Sequence, residues 1–386
     1  MASSLISSMV SNYKLLSVMK KIIVLLLFCF LINIQSAKTQ NYVAAVLYED
    51  YWGYIDEKGN YVLQPMYDAA QDFSSGMGMI KNLWDWYYVN KDGVIINSAS
   101  EYITRYGFSE GMARIELKNR WGFIDRNGEI VIQPQFVDAG DFKNGVAPVR
   151  TDNGWGYIDK SGNYFIEPQF KDAKDFENSV AKIKNDDGWV FINSDKKIFP
   201  QNKNQYDIKN NFSDGMAFVV KDRKFGFINT TGELVIPARF DDVGSFNNGF
   251  APVEIDRQWG YINKSGDFLV NPKYKVAQEF KDDMAMVRDS DGYLYITTSG
   301  EEIGKTDVYE VKYAFSDGYA RVIQDGRWGF IDKTGKLVIP AQFDKAEDFS
   351  NGLAPVLKDG SWGYINKNGD LVIDYQFRRA FGFIKI

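Results

Sequence analysis

One short pattern recurs ten times along this chain, and that recurrence restricts the fold more than any other property of the sequence. An aromatic residue, usually Trp followed by Gly, stands at Trp52, Trp86, Trp121, Trp155, Trp189, Phe225, Trp259, Tyr293, Trp328 and Trp362. Successive anchors are 34, 35, 34, 34, 36, 34, 34, 35 and 34 residues apart. A period in this range means units that cannot bury an apolar face alone and stack on their neighbours. Length then stops being a guide to domain number, because a repeat array is one continuous core whatever its extent.

One unit reads Val146-Ala147-Pro148-Val149, a turn at Asp152-Asn153-Gly154, Trp155-Gly156-Tyr157-Ile158-Asp159, a turn at Lys160-Ser161-Gly162, Tyr164-Phe165-Ile166, then Pro168, Phe170 and Phe176. Short β-rich runs between Asx-Gly and x-Gly turns are strand and hairpin signals, and no stretch holds a 3.6-residue period. The expectation is three antiparallel strands per unit followed by an irregular connector. Side chains alternate along a strand, which puts Trp155 and Tyr157 on one face and Gly156 and Ile158 on the other. Both faces are apolar, so this strand is expected to be sandwiched. A fully buried indole removes about 200 Å² from water, an upper estimate of about 5 kcal/mol for each anchor. Asp159, three residues before Gly162, fits a turn in which an Asx side chain bonds local backbone, and Asn263 and Asn366 take its place in other units.

The units also sort into a cycle of three. Trp-Gly-Tyr occurs at 52, 155, 259 and 362, and Trp-Gly-Phe or Phe-Gly-Phe at 121, 225 and 328. The units at 86, 189 and 293 read Trp-Tyr-Tyr, Trp-Val-Phe and Tyr-Leu-Tyr, without the Gly, at separations of 103 and 104 residues. Duplication of a 104-residue block accounts for this cycle. So does a superhelix that completes one turn every three units. At the chain ends, Val43-Ala44-Ala45-Val46 matches the Ala-Pro-Val strand, and Phe383-Ile384-Lys385-Ile386 matches Val180-Ala181-Lys182-Ile183. Two ends carrying the same strand favour an all-β open solenoid or superhelix over the alternative, a closed propeller-like ring.

The run Gly326-Arg327-Trp328-Gly329-Phe330-Ile331-Asp332-Lys333-Thr334-Gly335, continued by Leu337-Val338-Ile339-Pro340 and Gly352-Leu353-Ala354-Pro355-Val356, resembles the WG-repeat family of bacterial proteins. The resemblance extends over nearly everything after the first forty residues. It implies a β-rich repeat scaffold without an assigned activity. The departures are the three units lacking Gly and the connectors around 97–107, 201–211 and 302–314.

The first forty residues differ in kind. After Lys20 and Lys21 comes an apolar run from Ile22 to Ile34, interrupted by Asn33, and then Ala37-Lys38-Thr39. A basic segment, a short apolar segment and a small-x-small site make a secretory signal peptide over residues 1–39, with Met19 as an alternative start. The ten-unit array then occupies 40–386. The apolar run falls short of the ~20 residues of a bilayer span, so no stable membrane span is expected in the mature chain, although a retained anchor is the alternative. The expected location is the periplasm, the cell surface or the medium. Phe28 precedes the single cysteine, Cys29, where a lipoprotein site needs a small residue, and the mature chain is left without disulfides.

Hydrophobic residues at 45% and aromatics at 16% exclude a disordered chain. The net charge of −6 is interspersed, so there is no basic stripe for nucleic acid. The chain has no histidine, which removes Ser-His and Cys-His nucleophiles and His-bearing zinc sites. No phosphate-binding glycine loop appears, and no cofactor is expected. Carboxylate chemistry survives, since a glycoside hydrolase needs only two acids roughly 5–10 Å apart. The acids, however, recur at turns in register with the repeat. Asp186-Asp187-Gly188 and Asp289-Ser290-Asp291-Gly292 lack EF-hand spacing. No catalytic, metal or cofactor residue is therefore assigned, and the ten anchors are read as structural. Tyr102, Tyr206 and Tyr309 each stand six residues before Phe108, Phe212 and Phe315, a core register, and Trp84 alone falls outside the pattern and is expected to be exposed. The leading functional expectation is an exported, non-enzymatic scaffold for a protein partner. The alternative is a glycan- or cell-wall-binding module, and a carboxylate hydrolase stands behind both. The variable connectors are the first candidate for an interaction face.

Overall fold

In blade 4 the two central strands, Val146–Thr151 and Gly154–Asp159, form a hairpin, and Tyr164–Phe170 pairs with the second of them. A two-residue strand, Asp138–Ala139, pairs with the free edge of the first and makes a fourth. The computed structural model of the protein describes residues 42–96, 106–186, 188–200, 206–304, 309–311 and 313–386, and places ten such antiparallel sheets along them. Blade 3 has three strands among the described residues. The segment 1–39 read as a signal peptide, Tyr102, Asp187 and much of the three connectors lie outside the described residues.

The apolar clusters show how the blades are joined. Tyr157 packs with Ala181, Ile183 and Ile192 of blade 5. Its neighbour Ile158, on the opposite face, packs with Phe123 and Ile132 of blade 3. The sandwiched strand expected from the alternation is therefore present, and it is the contact between blades. Ten clusters of this kind follow one another, and the tenth unites Leu353, Tyr364 and Phe377 of blade 10 with Ala44, Val46 and Ile55 of blade 1.

That tenth cluster corrects the expectation of an open three-stranded solenoid: the array is a closed ten-bladed propeller of four-stranded sheets. The two chain ends are complementary. Blade 1 receives its short strand from Arg379–Ala380, which pairs with Val46 and Leu47. Phe383 is the last blade's counterpart of Phe349 and Phe142, not a member of the Val-Ala-Lys-Ile strand. Elsewhere a tight turn joins the short strand to the next, as in the Lys143↔Val146 bridge, and at the seam Ile384↔Val43 reproduces that bridge without a covalent turn. Arg378 clasps the seam by donating to the Glu49 carbonyl at 3.1 Å and to the Asp50 carboxylate.

The same geometry explains the Trp-Gly glycine. Trp155 pairs with Phe170 but Tyr157 with Ile166, so Glu167, Pro168 and Gln169 arch over Gly156. A Cβ on Gly156 would lie 2.5 Å from the Ile166 carbonyl oxygen and 2.7 Å from the Pro168 nitrogen. Gly53, Gly122, Gly226, Gly260, Gly329 and Gly363 meet the same arch. Where Tyr87, Val190 and Leu294 replace the Gly, the last strand shrinks to Ile95–Ile96, Ile198–Phe199 and Glu302–Ile303. Losing the Gly, shortening the strand and acquiring a degenerate connector are one linked change. A ring of ten is not a multiple of three, and two Trp-Gly-Tyr blades, 10 and 1, meet at the seam. Superhelical turns therefore do not explain the cycle, and block duplication does.

The anchors themselves lie at the blade margins. Most are half-buried, and Trp189 and Tyr293 are 40% and 41% exposed. Deep burial belongs to the aromatic residue two positions on, from Tyr54 to Tyr364, so the full-burial estimate applies there. Where that residue is Tyr, its hydroxyl donates across the junction, as from Tyr157 to the Lys174 carbonyl (2.8 Å) and from Tyr261 to the Gln278 carbonyl (2.6 Å). Charged clasps add to this at the turns. Glu110, Asp214, Asp282 and Asp317 each accept from the backbone N–H of a Gly in the next blade and pair with that blade's Lys160, Lys264, Lys333 or Lys367.

Two outcomes follow for stability. Removing Phe381–Ile386 deletes the rings stacked at the seam, and its thermal midpoint is expected to fall well below that of the full chain in differential scanning calorimetry. Gly156→Ala forces a Cβ into the arch and is expected to cost about 2–3 kcal/mol in urea unfolding, as overpacking does, whereas Val190→Ala, in a blade without the arch, creates no clash.

Candidate functional site

The recurrent acids are engaged by the turns they sit in. Asp159 Oδ1 accepts from the backbone N–H of Ser161 (2.9 Å) and Asn163 (3.0 Å). Asn263 and Asn366 do the same in their blades. These hydrogen bonds hold the Asp159 carboxyl below its ordinary pKa. The acidic run at 289–292 is also a turn, with Asp289 accepting from Asp291 and Gly292. Among the described residues no group of three or more Asp, Glu, Cys or His side chains could hold a metal.

A cavity of about 470 Å³ opens at the short-strand edge where blade 4 meets blade 5. Pro148, Trp155 and Phe191 form its apolar walls, and Asp175, Glu177, Lys182 and Asn211 are among its polar ones. Gly140 makes it possible. A Cβ there would sit 2.4 Å from an Asp175 oxygen and 2.5 Å from Pro148, so only Gly lets Asp175 reach back to accept from the Asp141 N–H at 3.2 Å. Lys143 bridges Asp175 (3.6 Å) and Glu177 (3.1 Å), and Asn211 donates to Glu177 at 3.4 Å.

Arg114, on the cavity rim, is a latch. Its guanidinium lies 3.7 Å from the Tyr106 ring centroid, donates to the Ala139 carbonyl and pairs with Asp141 at 3.0 Å. Arg321 repeats the arrangement with Tyr313, the Ala346 carbonyl and Asp348. The two close acids, Asp141 and Asp175, therefore occupy one register position in successive blades, and the repeat accounts for both. Burial, then the neighbouring Asp141 carboxylate, pushes the Asp175 pKa above the usual carboxylate range, against the pull of Lys143 and Arg114.

The sequence-level candidates are spread around the ring. Of the ten anchors only Trp155 lines this cavity. Tyr206 is buried and Tyr309 packs against the cluster of blades 8 and 9, as their register predicted. Trp84 is 90% exposed at a hairpin tip beside Leu83, at 72%. The described part of the connectors contributes Asn211 to the cavity. Sequence reasoning did not single out Gly140, Asp175 or Lys182. The one available signal was the Gly140-Asp141 pair before Phe142, whose meaning depends on the blade that follows.

Eight stretches, 52–82, 121–155, 155–189, 225–257, 259–293, 295–328, 328–362 and 362–385, match the family described as WG containing repeat. The chain belongs to that family. Similar solved structures include a eukaryotic initiation factor, at 11% identity over 90% of this chain and 98% of that one, with a TM-score of 0.48. The extracellular domain of a hybrid two-component system from B. thetaiotaomicron is similar at 10% identity, over 89% of this chain and 65% of that one (TM-score 0.23). PorZ, a surface component of the type-IX secretion system of Porphyromonas gingivalis, is similar at 11%, over 86% and 52% (TM-score 0.25). No curated protein sequence matches the chain.

A raised carboxyl pKa means that folding disfavours the charged form. Asp175 therefore costs stability above its folded pKa, and the cost disappears as pH falls below the unfolded value of about 3.9. Asp175→Asn is expected to be more stable than the parent at neutral pH, with the difference shrinking toward zero in acid, as read from urea midpoints across pH.

Proposed function

We propose that this protein is an exported, non-enzymatic glycan-binding module whose site is the cavity between blades 4 and 5. The observation that carries the reading is the lining. A pocket of this size lies within the small-ligand range, yet its walls are unusually polar for one. An indole beside carboxylate, amide and ammonium groups suits a sugar, which stacks its C–H face on a ring and needs donors and acceptors around its hydroxyls. The leader-like segment at 1–39 supports export, and no helix among the described residues is long and apolar enough to cross a membrane, which says nothing of a β-barrel.

A second reading, a protein partner, rests on the Leu83-Trp84 tip, since exposed aromatic anchors are common interface hot spots. The test that separates them is calorimetric titration of the chain from Gln40 onward with a panel of oligosaccharides. Micromolar to millimolar binding to at least one glycan, weakened about tenfold or more by Trp155→Ala (about 1.4 kcal/mol) and unchanged by Trp84→Ala, is expected. Silence across the panel, or binding indifferent to Trp155, removes the glycan reading.

A further inference from the structure

Beside the cavity, blade 5 presents an arrangement absent from its neighbours. Lys182 and Lys184 alternate onto one face of Val180–Asn185, and Trp189 stands opposite Lys184 in the paired strand. Lys174, from the adjoining short-strand segment, completes a ring. The three ammonium groups lie 5.3, 5.3 and 6.0 Å from the Trp189 ring centroid, for Lys174, Lys182 and Lys184 respectively. The indole is 40% exposed, so part of the side chain that the cations border is open to solvent.

Their pairing is incomplete. Lys174 bonds Asp172 at 3.1 Å, and nearby Lys171 pairs with Asp186 at 2.8 Å. Among the described residues neither Lys182 nor Lys184 has a carboxylate within ion-pair distance. In blade 4 the positions of Lys174 and Lys182 are Gly140 and Pro148, and in blade 7 they are Gly244 and Pro252, so the repeat itself does not demand a cation there. Like charges held close together repel one another, and an anion placed among them relieves that repulsion. Lys174 and Lys182 also line the cavity, which makes the platform and the pocket continuous.

We infer that the Trp189 platform selects acidic saccharides: a sugar ring lies against the indole while its carboxylate or sulfate is held by Lys182, Lys184 and Lys174. This rests on the glycan reading for the sugar and adds the sign of its charge. Neutral residues of the same chain would occupy the adjoining pocket on Trp155.

The test titrates the chain from Gln40 onward at low salt with a tetragalacturonate, a sulfated tetrasaccharide, a neutral tetrasaccharide and a tetraglutamate peptide. At least one acidic saccharide is expected to bind about tenfold or more tighter than the neutral one, with an advantage that fades as added salt shortens the screening length. Preference for the uronate or for the sulfated sugar tells which anion the platform takes. Lys184→Ala, outside the cavity lining, should cut the preference about threefold or more and leave neutral binding intact, and Lys184→Gln, at an exposed position, should do the same without a change in melting temperature. Lys171→Ala, outside the ring of cations, should have no effect. Equal affinity for acidic and neutral sugars overturns the inference and leaves the pocket reading standing. Equal affinity for tetraglutamate overturns the saccharide class. Absence of binding to every sugar overturns both.

Discussion

Two-sided burial of the central strand is the constraint on which the rest of this molecule depends. Tyr157 and Ile158 are adjacent in sequence, fully buried, and committed to different neighbours. A blade built this way has no solvent-facing side to offer, so a terminal blade would expose a row of aromatic and β-branched residues. Open arrays solve this with polar caps. Among the described residues there is no such cap, since the first and last blades carry the same apolar pattern as the middle ones. Closing the ring leaves every face covered.

Closure in turn sets the cost of variation within the unit. Where the last strand arches over its neighbour, the position beneath must be Gly. Where that strand is cut to two residues, Tyr87, Val190 and Leu294 become possible, and Val190 and Leu294 are buried in the space released. Variation thus arrives in linked packages, and a block of three units copied along the chain keeps each package whole. The ring tolerates the copying because all blades share one contact face, whatever their class.

Much of this was readable from residues alone. Strict alternation identified which side chains share a face, and Asp or Asn three residues before a Gly marked the turns. An indole outside the repeat register, Trp84, was legible as exposed because nothing in the unit needed it. The two-residue strands were not legible: a pair such as Asp172-Ala173 is too short to show alternation, and only its partner's backbone makes it a strand. That omission led to the wrong topology, because Phe383-Ile384-Lys385 imitates the apolar rhythm of a different strand when Arg379-Ala380 goes unrecognised. The cavity was hidden for another reason. Gly140 and Asp175 stand a full repeat apart, and their contact exists only after one blade is laid on the next.

The charged clasps are unevenly distributed around the ring. They bind blade 3 to 4, 6 to 7, 8 to 9 and 9 to 10, whereas the junction of blades 5 and 6 uses the neutral amide of Asn178 on the Phe212 carbonyl. Carboxylate–lysine contacts at the surface weaken with salt and acid, while an amide bond does not respond to either. The turn contacts between blades therefore respond to salt and acid at some junctions and not at the Asn178–Phe212 contact. The polar cavity, whose lining reaches Asn211 and Phe212 of blade 6, borders that uncharged contact, so salt and acid act on its surroundings unevenly.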